Sequence, residues 1–253
     1  MNLEGNTILI TGGSSGIGRA LAEALHARGN KVVIAARRRE ALAKTVNANS
    51  GIEAVELDVT SRESIAKASV EIVRKYPTLN VLINNAGIMR VDHIDRSVDE
   101  ELLASTISTN LVGPIRLTGA LLDHLQAQPR ATIINVSSVL GFVPLAWSAV
   151  YSSTKAAIHS YSLSLRYALR GTSVRVLELI PPWVQTDLLG KANAKDPRAM
   201  PLDEFIAEAV RLLATDAEEI VVEQARPIRD NAGPHEAKLV TEINDLVGPV
   251  QQG

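Results

Sequence analysis

The chain has 253 residues, with 26 Lys and Arg against 28 Asp and Glu, so its formal charge is −2. This balance argues against a nucleic-acid-binding protein, because such proteins usually carry a basic excess. The chain has no cysteine, which excludes disulfides, thiolate metal sites and a cysteine nucleophile. It shows no signal-peptide pattern and no apolar run near the ~18 residues of a membrane span, so we expect a soluble, cytoplasmic protein.

Short apolar segments alternate with segments of helical periodicity along the chain. The short segments are rich in β-branched residues and are flanked by Gly, Asn, Asp, Ser or Pro, which is typical of strands. We predict strands over 7–11, 31–36, 52–59, 79–86, 131–137, 173–180 and 218–223. We predict helices over 17–28, 65–73, 99–127 and 150–170. The third of these helices is expected to bend near Gly113 and Pro114, because proline cannot donate the helix hydrogen bond.

This alternation predicts an α/β fold with one doubly wound, parallel sheet of about seven strands and helices on both faces. Nothing resembles a linker, so residues 1–253 are expected to form a single domain. We interpret residues 182–205 as a substrate loop with a short helix, because they follow a strand end and contain several prolines. The apolar spacing of residues 234–247 predicts a C-terminal amphipathic helix.

A glycine-rich segment, TGGSSGIG (11–18), joins the first strand directly to a helix. Its glycines allow a tight turn, a close approach to a pyrophosphate and tight packing of the helix on the strand. Free N–H groups at the helix start add an anion site. The segment predicts a Rossmann-like dinucleotide crevice, an ordinary glycine-rich turn being the alternative. The expected cofactor contacts in the loop are Gly12, Ser14, Ser15, Gly16, Ile17 and Gly18.

The end of the second strand indicates which nicotinamide cofactor the crevice would take. An NAD-binding domain usually places an acid there to bind the ribose 2′-OH, but this chain has Ala36. An arginine beside it can pair with a 2′-phosphate through charge-assisted hydrogen bonds. NADP(H) is therefore favoured over NAD(H), with Arg37 as the first candidate and Arg38 as the second. The alternative is a solvated run of charges at a helix start.

Tyr151 and Lys155 lie four residues apart on the predicted helix 150–170, and so on one face of it. An ammonium about 4 Å from a phenol contributes on the order of 4 kcal/mol at an effective dielectric near 20. That equals about three pKa units, so we expect the pKa of Tyr151 to be lowered into the range for acid–base work near neutrality. Ser137 and Ser138 stand at the end of the preceding strand, the second of them thirteen residues before the tyrosine.

With these motifs the chain resembles the short-chain dehydrogenase/reductase family over roughly residues 5 to 190. The matching pieces are TGGSSGIG (11–18), Asp58 after the third strand, NNAG (84–87), Asn110 in STNLVGP, Ser138 in INVSS and YSSTK (151–155). The resemblance implies an NADP(H)-dependent alcohol dehydrogenase or carbonyl reductase. Such an enzyme transfers hydride between nicotinamide and a small or medium carbonyl or alcohol. The resemblance also implies a homodimer or homotetramer.

The resemblance also implies a role for each matching residue. Tyr151 would be the general acid/base, and Lys155 would hold the nicotinamide ribose and lower the Tyr pKa. Ser138 would hydrogen-bond the substrate oxygen, and Asn110 would fix a water in a proton relay. The further implied cofactor contacts are Asp58, Val59, Asn84, Ala86, Gly87, Pro181 and Thr186. From the residues alone, Asn84 can equally be a turn residue and Asn110 a residue at a helix kink.

The sequence departs from the family pattern on the substrate side. Pro182 stands where the family usually has Gly after the proline that ends the sixth strand, and Trp183 follows it. The usual glycine-rich end after the seventh strand is also missing. We expect an apolar substrate pocket. The alternative is that its predicted wall residues are ordinary core residues. The predicted wall residues are Val139, Leu140, Phe142, Trp147, Trp183 and Leu188.

Two other classes of function remain open from the sequence. One is a non-catalytic NADP(H)-binding sensor, against which the intact Ser, Tyr, Lys and Asn set argues. The other is an isomerase or dehydratase that keeps its cofactor bound. We predict no metal site, because none of the five histidines stands at ligand spacing from another histidine or a carboxylate. All five are interpreted as surface or packing residues.

Overall fold

The computed structural model describes residues 1–97, 99–191, 193–233 and 235–247. In this part of the chain the strands are β1 (Thr7–Thr11), β2 (Lys31–Ala36), β3 (Glu53–Glu56), β4 (Leu79–Asn84), β5 (Ala131–Val136), β6 (Val174–Ile180) and β7 (Glu219–Val221). They form one parallel sheet in the order β3-β2-β1-β4-β5-β6-β7. The predicted α/β fold is confirmed. The strand order reverses between β1 and β4, which is where open α/β sheets form a ligand crevice.

Helices cover both faces of the sheet. They are α1 (Gly16–His26), α2 (Arg39–Ala48), α3 (Arg62–Lys75), α4 (Glu100–Ile107), α5 (Gly113–Gln126), α6 (Ala149–Ala168), α7 (Leu202–Leu213), α8 (Arg226–Asn231) and α9 (Glu236–Val247). Aliphatic side chains of α1 and α7 pack on one face, and those of α3 and α5 on the other. No helix in the described ranges is long and apolar enough to cross a membrane.

Two strands are shorter than predicted. The segment expected over 52–59 pairs only as Glu53–Glu56, because the chain turns at Asp58, whose carboxylate accepts the backbone N–H two residues on at 2.9 Å. The segment expected over 218–223 pairs only as Glu219–Val221. Both strands lie at the edges of the sheet, where fewer neighbours extend the pairing.

The predicted helix 99–127 is interrupted by a π-helical turn over Ser108–Val112, which separates α4 from α5. The irregularity therefore comes before Gly113 and Pro114 rather than at them. Pro114 lies in the first turn of α5, where a missing N–H costs no hydrogen bond. The wider π turn places Asn110 on the inner side, where it is buried.

The expected substrate loop ends in a core helix. Residues 182–201 form two short 3₁₀ turns, Asp187–Leu189 and Asn193–Lys195, in the described part of that segment. Helix α7 then runs to Leu213, well beyond the short helix expected within 182–205, and buries Phe205. The predicted C-terminal helix is present as α9, with residues 234 and 248–253 outside the described ranges.

A row of polar side chains crosses the buried sheet on the face covered by α5 and α6. Asn84, Asn135, Glu178 and Glu219 are register partners on β4, β5, β6 and β7. Asn84 donates to the Asn135 side-chain oxygen at 2.9 Å, and hydroxyls of α5 and α6 bond to both amides. Glu178 is fully buried. This face of the sheet is therefore polar close to the carboxyl ends of its strands.

Candidate active site

A cavity of about 880 Å³ lies at the carboxyl ends of β1, β4, β5 and β6. It brings together most of the side chains and loop residues that the sequence singled out. Those that line it are Gly12, Ser15, Gly16, Ile17, Arg38, Ala86, Gly87, Ser138, Val139, Leu140, Trp147, Tyr151, Lys155, Pro181, Trp183, Thr186 and Leu188. The predicted residues that do not line it are Ser14, Gly18, Arg37, Asp58, Val59, Asn84, Asn110 and Phe142.

The glycine-rich loop forms one end of the cavity. Gly12 has φ +67°, and a Cβ added there would lie 2.9 Å from the Ala86 Cα. Ser15 is the N-cap of α1 in an extended conformation, and its side chain makes no capping hydrogen bond. The first amide groups of α1 therefore stay available to an anion in the cavity. This tight, uncapped cradle fits a pyrophosphate.

The arginines after β2 occupy different surroundings. Arg37 and Arg38 are both exposed, but only Arg38 lines the cavity. Arg39 is paired with Glu56. Helix α2 begins at Arg39, so its extended N-cap residue Arg38, the second candidate, is the arginine placed at the cavity. Ala36 leaves no acid at this strand end.

Ser138, Tyr151 and Lys155 meet inside the cavity. Tyr151 and Lys155 lie one turn apart on α6 and are both buried. The Lys155 Nζ is 5.4 Å from the centre of the Tyr151 ring and donates to the Val136 carbonyl oxygen at 2.8 Å. Ser138, just after β5, lies beside the Tyr151 hydroxyl and acts to lower the pKa of that phenol. The three side chains thus present a hydroxyl pair beside a buried amine.

The electrostatics of this group differ from the expectation. Burial raises the pKa of Tyr151 to about 12, and only the hydrogen bond to Ser138 opposes that shift. Burial lowers the pKa of Lys155 to about 8, against the opposing charge of Glu178. The expected lowering of the Tyr151 pKa by the ammonium is therefore wrong for this structure. The side chains of Tyr151 and Lys155 are both buried away from water. The Lys155 amine points to a backbone carbonyl rather than to the phenol oxygen.

Asn110 lies behind Lys155. Its side-chain oxygen accepts the Ile88 N–H at 2.9 Å, and its side-chain nitrogen donates to the Ile88 carbonyl at 2.9 Å. A Cβ added to Gly87 would lie 3.5 Å from the Asn110 oxygen and 3.8 Å from the Lys155 Nζ. The absence of a side chain at Gly87 therefore leaves room between these two groups, although Asn110 itself does not line the cavity.

Three predicted cofactor contacts, Asn84, Asp58 and Val59, lie away from the cavity. Asn84 is not in the groove, because its side chain belongs to the polar row; the next residue, Asn85, lines the cavity instead and donates to the Thr11 carbonyl at 2.9 Å. Asp58 and Val59 do not line the cavity either. The Asp58 carboxylate is used within its own turn, where it accepts a backbone N–H and a hydroxyl.

Phe142 is not a wall of the pocket, so that prediction is wrong. Its ring packs edge-on against His159, with ring centres 4.6 Å apart. The 3₁₀ turn before it, Val139–Gly141, lies so close to α6 that a Cβ on Gly141 would be 2.9 Å from the backbone of Lys155. That contact turns the following side chain away from the cavity and under the helix.

Helix α9 contributes a wall that the sequence did not predict. Ile243 and Leu246 line the cavity, and Ile243 packs on the cluster formed around Tyr151 and Trp147. Asn244 fastens the helix to the segment between the catalytic serine and tyrosine. Its side chain donates to the Pro144 carbonyl at 3.0 Å and accepts the N–H of residue 146 at 2.5 Å. The amphipathic pattern of 234–247 indicated a helix, but not the surface it covers.

Trp183, which follows Pro182, also lines the cavity. The guanidinium of Arg198 lies 4.9 Å from the centre of its indole ring. The Trp183 carbonyl accepts the Met200 N–H at 2.8 Å, which ties the start of the loop to its end. The tryptophan that departs from the family pattern thus forms a bulky wall of the cavity. A hydrogen bond within its own loop holds it in place.

A buried cluster of charged side chains lies below α6, and sequence reasoning missed it. The His159 Nδ1 donates to the Glu178 Oε2 at 2.8 Å. Ligand atoms of His159, Glu178 and Glu219 come within 4.8 Å of one another, and the Arg229 guanidinium donates to both oxygens of Glu219 at 2.8 and 3.0 Å. His159 is therefore more than a surface or packing residue. The available signal was an acid in an otherwise apolar strand, SVRVLELI.

Comparison with known proteins identifies the family. A family model described as short chain dehydrogenase matches residues 6–197. The uncharacterized oxidoreductase DltE of Bacillus subtilis is 37% identical over 248 residues, which cover 96% of this chain and 98% of the relative. An uncharacterized oxidoreductase of Staphylococcus aureus is 34% identical over 226 residues, covering 87% of this chain and 96% of the relative.

Solved structures share the fold. A short chain dehydrogenase from Burkholderia cenocepacia in complex with NADP has a TM-score of 0.81 and 26% identity, covering 98% of this chain and all of the other. An alcohol dehydrogenase from Thermococcus sibiricus complexed with 5-hydroxy-NADP has a TM-score of 0.78 and 25% identity, covering 86% and 95%. With its fold, its motifs and these similarities, the chain belongs to the short-chain dehydrogenase/reductase family of oxidoreductases.

Proposed function

We propose that the protein is an NADP(H)-dependent carbonyl reductase or alcohol dehydrogenase acting on a small or medium apolar substrate. The observation that carries the proposal is the placement of Ser138, Tyr151 and Lys155 in the same cavity as the phosphate cradle. When bound, the nicotinamide supplies or accepts the hydride, and the protein supplies geometry and the proton. The similar Burkholderia and Thermococcus proteins, complexed with NADP and a modified NADP, support this cofactor class.

The cavity offers a place for each part of the cofactor. The amide groups of Gly16 and the start of α1 suit the pyrophosphate, and Arg38 suits a 2′-phosphate. Thr186, at the other end of the cradle, lies 3.5 Å from the Cβ that Gly16 lacks. In the proposed complex Lys155 holds the nicotinamide ribose.

The protonation states on this structure favour proton donation by Tyr151. With a pKa of about 12, its phenol keeps its proton at neutral pH and can pass it to a substrate oxygen that is being reduced. Ser138, which lies beside the phenol, would hydrogen-bond the substrate oxygen there. Lys155, with a pKa of about 8, is an ammonium at neutral pH and would favour the phenolate left after the transfer.

The lining of the cavity beyond Tyr151 suits an apolar substrate body. Leu145, Trp147 and Ile243 pack around the tyrosine, and Trp183 closes another side. Such a pocket binds through burial of apolar surface and uses its few polar groups for orientation. Leu246, at 77% exposure, extends the apolar wall towards solvent. We therefore expect the apolar part of a bound substrate to extend out of the cavity along α9.

The test is a titration of the purified protein with NADPH and NADH, followed by apolar ketones and aldehydes monitored at 340 nm. We expect tighter binding of NADPH and loss of its absorbance with at least one apolar carbonyl. Tight binding without turnover would instead support an NADP(H) sensor. Conversion of substrate without a net change at 340 nm would support an isomerase or dehydratase that keeps its cofactor.

Replacing Arg38 tests the cofactor preference. Arg38→Ala should weaken NADPH binding about 10- to 100-fold, the value of a charge-assisted hydrogen bond to a phosphate, and NADH binding by far less. Arg37→Ala is the matched control, because it removes the same charge from a neighbouring exposed position outside the cavity. Fluorescence titration of both variants decides the matter: an equal loss for NADPH and NADH in Arg38→Ala would refute the 2′-phosphate contact.

A cytoplasmic homodimer or homotetramer is part of the proposal. It is supported by large apolar side chains that stay exposed on α5 and α6, namely Ile115 at 38%, Leu163 at 45% and Tyr167 at 68%. An apolar strip on two neighbouring helices is a surface that a second copy could cover.

A further inference from the structure

Glu178 is a carboxylate in a fully buried position that would ordinarily hold an apolar side chain. It is fully buried in the middle of β6, where a carboxylate has lost all contact with water. Its Oε2 accepts one hydrogen bond from His159, and its Oε1 has no donor among the described residues. A buried carboxylate is costly unless a positive charge or several donors compensate it.

Two sets of contacts place this carboxylate beside the catalytic lysine. Tyr151, Lys155 and His159 follow one another at four-residue spacing on one face of α6, and His159 contacts Glu178. In addition, the Lys155 Nζ bonds the carbonyl of Val136, which directly follows Asn135, the register partner of Glu178. Helix and sheet therefore both place the carboxylate near the amine under the active site, where the two interact through their charges without a direct ion pair.

The other charges around the cluster are already matched. Glu219 on β7 accepts both hydrogen bonds from Arg229 on α8, so this pair is close to neutral. The facing groups are His159 and Lys155 from α6, Glu219 from β7 and Arg229 from α8, while β5 contributes only the neutral Asn135. The Glu178 charge also acts on Arg229, but both hydrogen bonds of that guanidinium already go to Glu219. Lys155 forms no ion pair with a carboxylate among the described residues, so its charge is the one that Glu178 is left to balance.

We propose that Glu178, oriented by His159, is a positioning residue of the reaction that holds Lys155 as an ammonium. Burial alone favours a neutral amine at this depth, and the carboxylate opposes it. Consistent with this arrangement, burial lowers the pKa of Lys155 while the Glu178 charge raises it. Glu178 acts through Lys155 and does not line the cavity. The catalytic meaning of the pair rests on the proposed function, whereas the charge coupling itself does not.

The first test is the pH dependence of kcat/KM for carbonyl reduction. Activity should fall where Lys155 loses its proton. In Glu178→Gln this fall in kcat/KM should move to lower pH by about one unit. At pH values above the shifted fall, kcat/KM should be about tenfold lower than in wild type. Glu178→Asp keeps the charge and should restore the wild-type position. Glu218→Gln is the matched control: it removes an exposed carboxylate just before β7, outside the cluster, and the fall should stay in place. An unchanged or upward position in Glu178→Gln, or an equal move in Glu218→Gln, would overturn the proposal.

The second test needs neither cofactor nor turnover. The Lys155 pKa of about 8 is below its value in an unfolded chain, so the unfolded state binds the proton more tightly above pH 8. The free energy of unfolding of the cofactor-free protein should therefore rise with pH from about 8. In Glu178→Gln the rise should begin at lower pH, and in Lys155→Met it should disappear.

The two tests separate the proposals. Suppose that the pH dependence of unfolding differs between wild type and Glu178→Gln, but the protein neither binds NADPH nor turns over carbonyls. That result would refute the proposed function and leave the charge coupling intact. Active enzyme with superimposed unfolding curves and pH profiles would refute the role of Glu178 alone. Glu178→Ser removes the same charge with less volume and serves for the same comparison if the glutamine variant does not fold.

Discussion

Tyr151→Phe should lower kcat for carbonyl reduction about 10²- to 10⁴-fold, the usual contribution of a positioned general acid. The change removes only the hydroxyl beside Ser138, and the ring can stay in its buried site. NADPH binding should therefore remain within about twofold of wild type, because the phosphate cradle and Arg38 are untouched. Steady-state rates at 340 nm and a fluorescence titration measure the two effects.

Tyr167→Phe is the matched control. Tyr167 lies on the same helix, sixteen residues further on, and is 68% exposed. It loses the same atom but has no contact with the cavity, so kcat should not change. If Tyr151→Phe retained more than about a tenth of wild-type turnover, the proton would have to come from another group.

Gly18→Ala should weaken NADPH binding at least about 100-fold. A Cβ on Gly18 would lie 2.3 Å from the Asn85 side-chain nitrogen and 2.5 Å from the Gly12 carbonyl oxygen. The second contact is with backbone, so the phosphate loop itself must move away from α1. A shift of a few tenths of an ångström there misplaces the amide groups that the pyrophosphate needs. We also expect a loss of about 1–3 kcal/mol in stability from overpacking.

Gly119→Ala adds the same methyl group as Gly18→Ala, but here we expect higher stability and unchanged cofactor binding. An added Cβ at Gly119 meets nothing within 4 Å, and the residue lies inside α5. Alanine should therefore stabilise the protein by about 0.5–1 kcal/mol and leave NADPH binding unchanged. Thermal unfolding and cofactor titration of both variants provide the comparison. Wild-type affinity in Gly18→Ala would contradict the close packing of loop and helix.

The parts of the molecule that depend on local pattern could be predicted from the sequence. Parallel buried strands are continuous apolar runs, and Tyr151 and Lys155 stand at a helical spacing that sequence alone reveals. Glycines in the phosphate loop mark a place where the backbone must approach another group. For this reason the sheet, the cradle and the position of the catalytic cavity were all accessible before the structure.

The features that the sequence missed depend on contacts between distant segments. Arg38 rather than Arg37 lines the cavity because α2 begins one residue after it, and helix starts are the least certain part of a sequence prediction. The raised pKa of Tyr151 follows from burial, which a four-residue spacing does not report. Phe142 was assigned to the pocket from its place between Ser138 and Tyr151, but a close packing of Gly141 on α6 directs it elsewhere.

The walls contributed by α9 illustrate the same limit. The spacing of its apolar residues predicted a helix with one apolar face. It did not show that Asn244 would fasten this helix to residues a hundred positions earlier in the chain. Contacts of that separation depend on the finished topology of the sheet, so only the structure could reveal which surface the helix covers.

The polar row across β4, β5, β6 and β7 also bears on how uniquely this chain folds. Side chains alternate between the two faces of a strand, so a slip of one residue would turn Asn135 or Glu178 towards α1 and α7. That face of the sheet is packed with aliphatic side chains such as Ile134 and Leu179, which offer a carboxylate no donor. Mispaired sheets would therefore be strongly destabilised, whereas a purely aliphatic sheet would tolerate several alignments. The same buried acid that lies beneath the catalytic lysine thus helps to specify how four strands align.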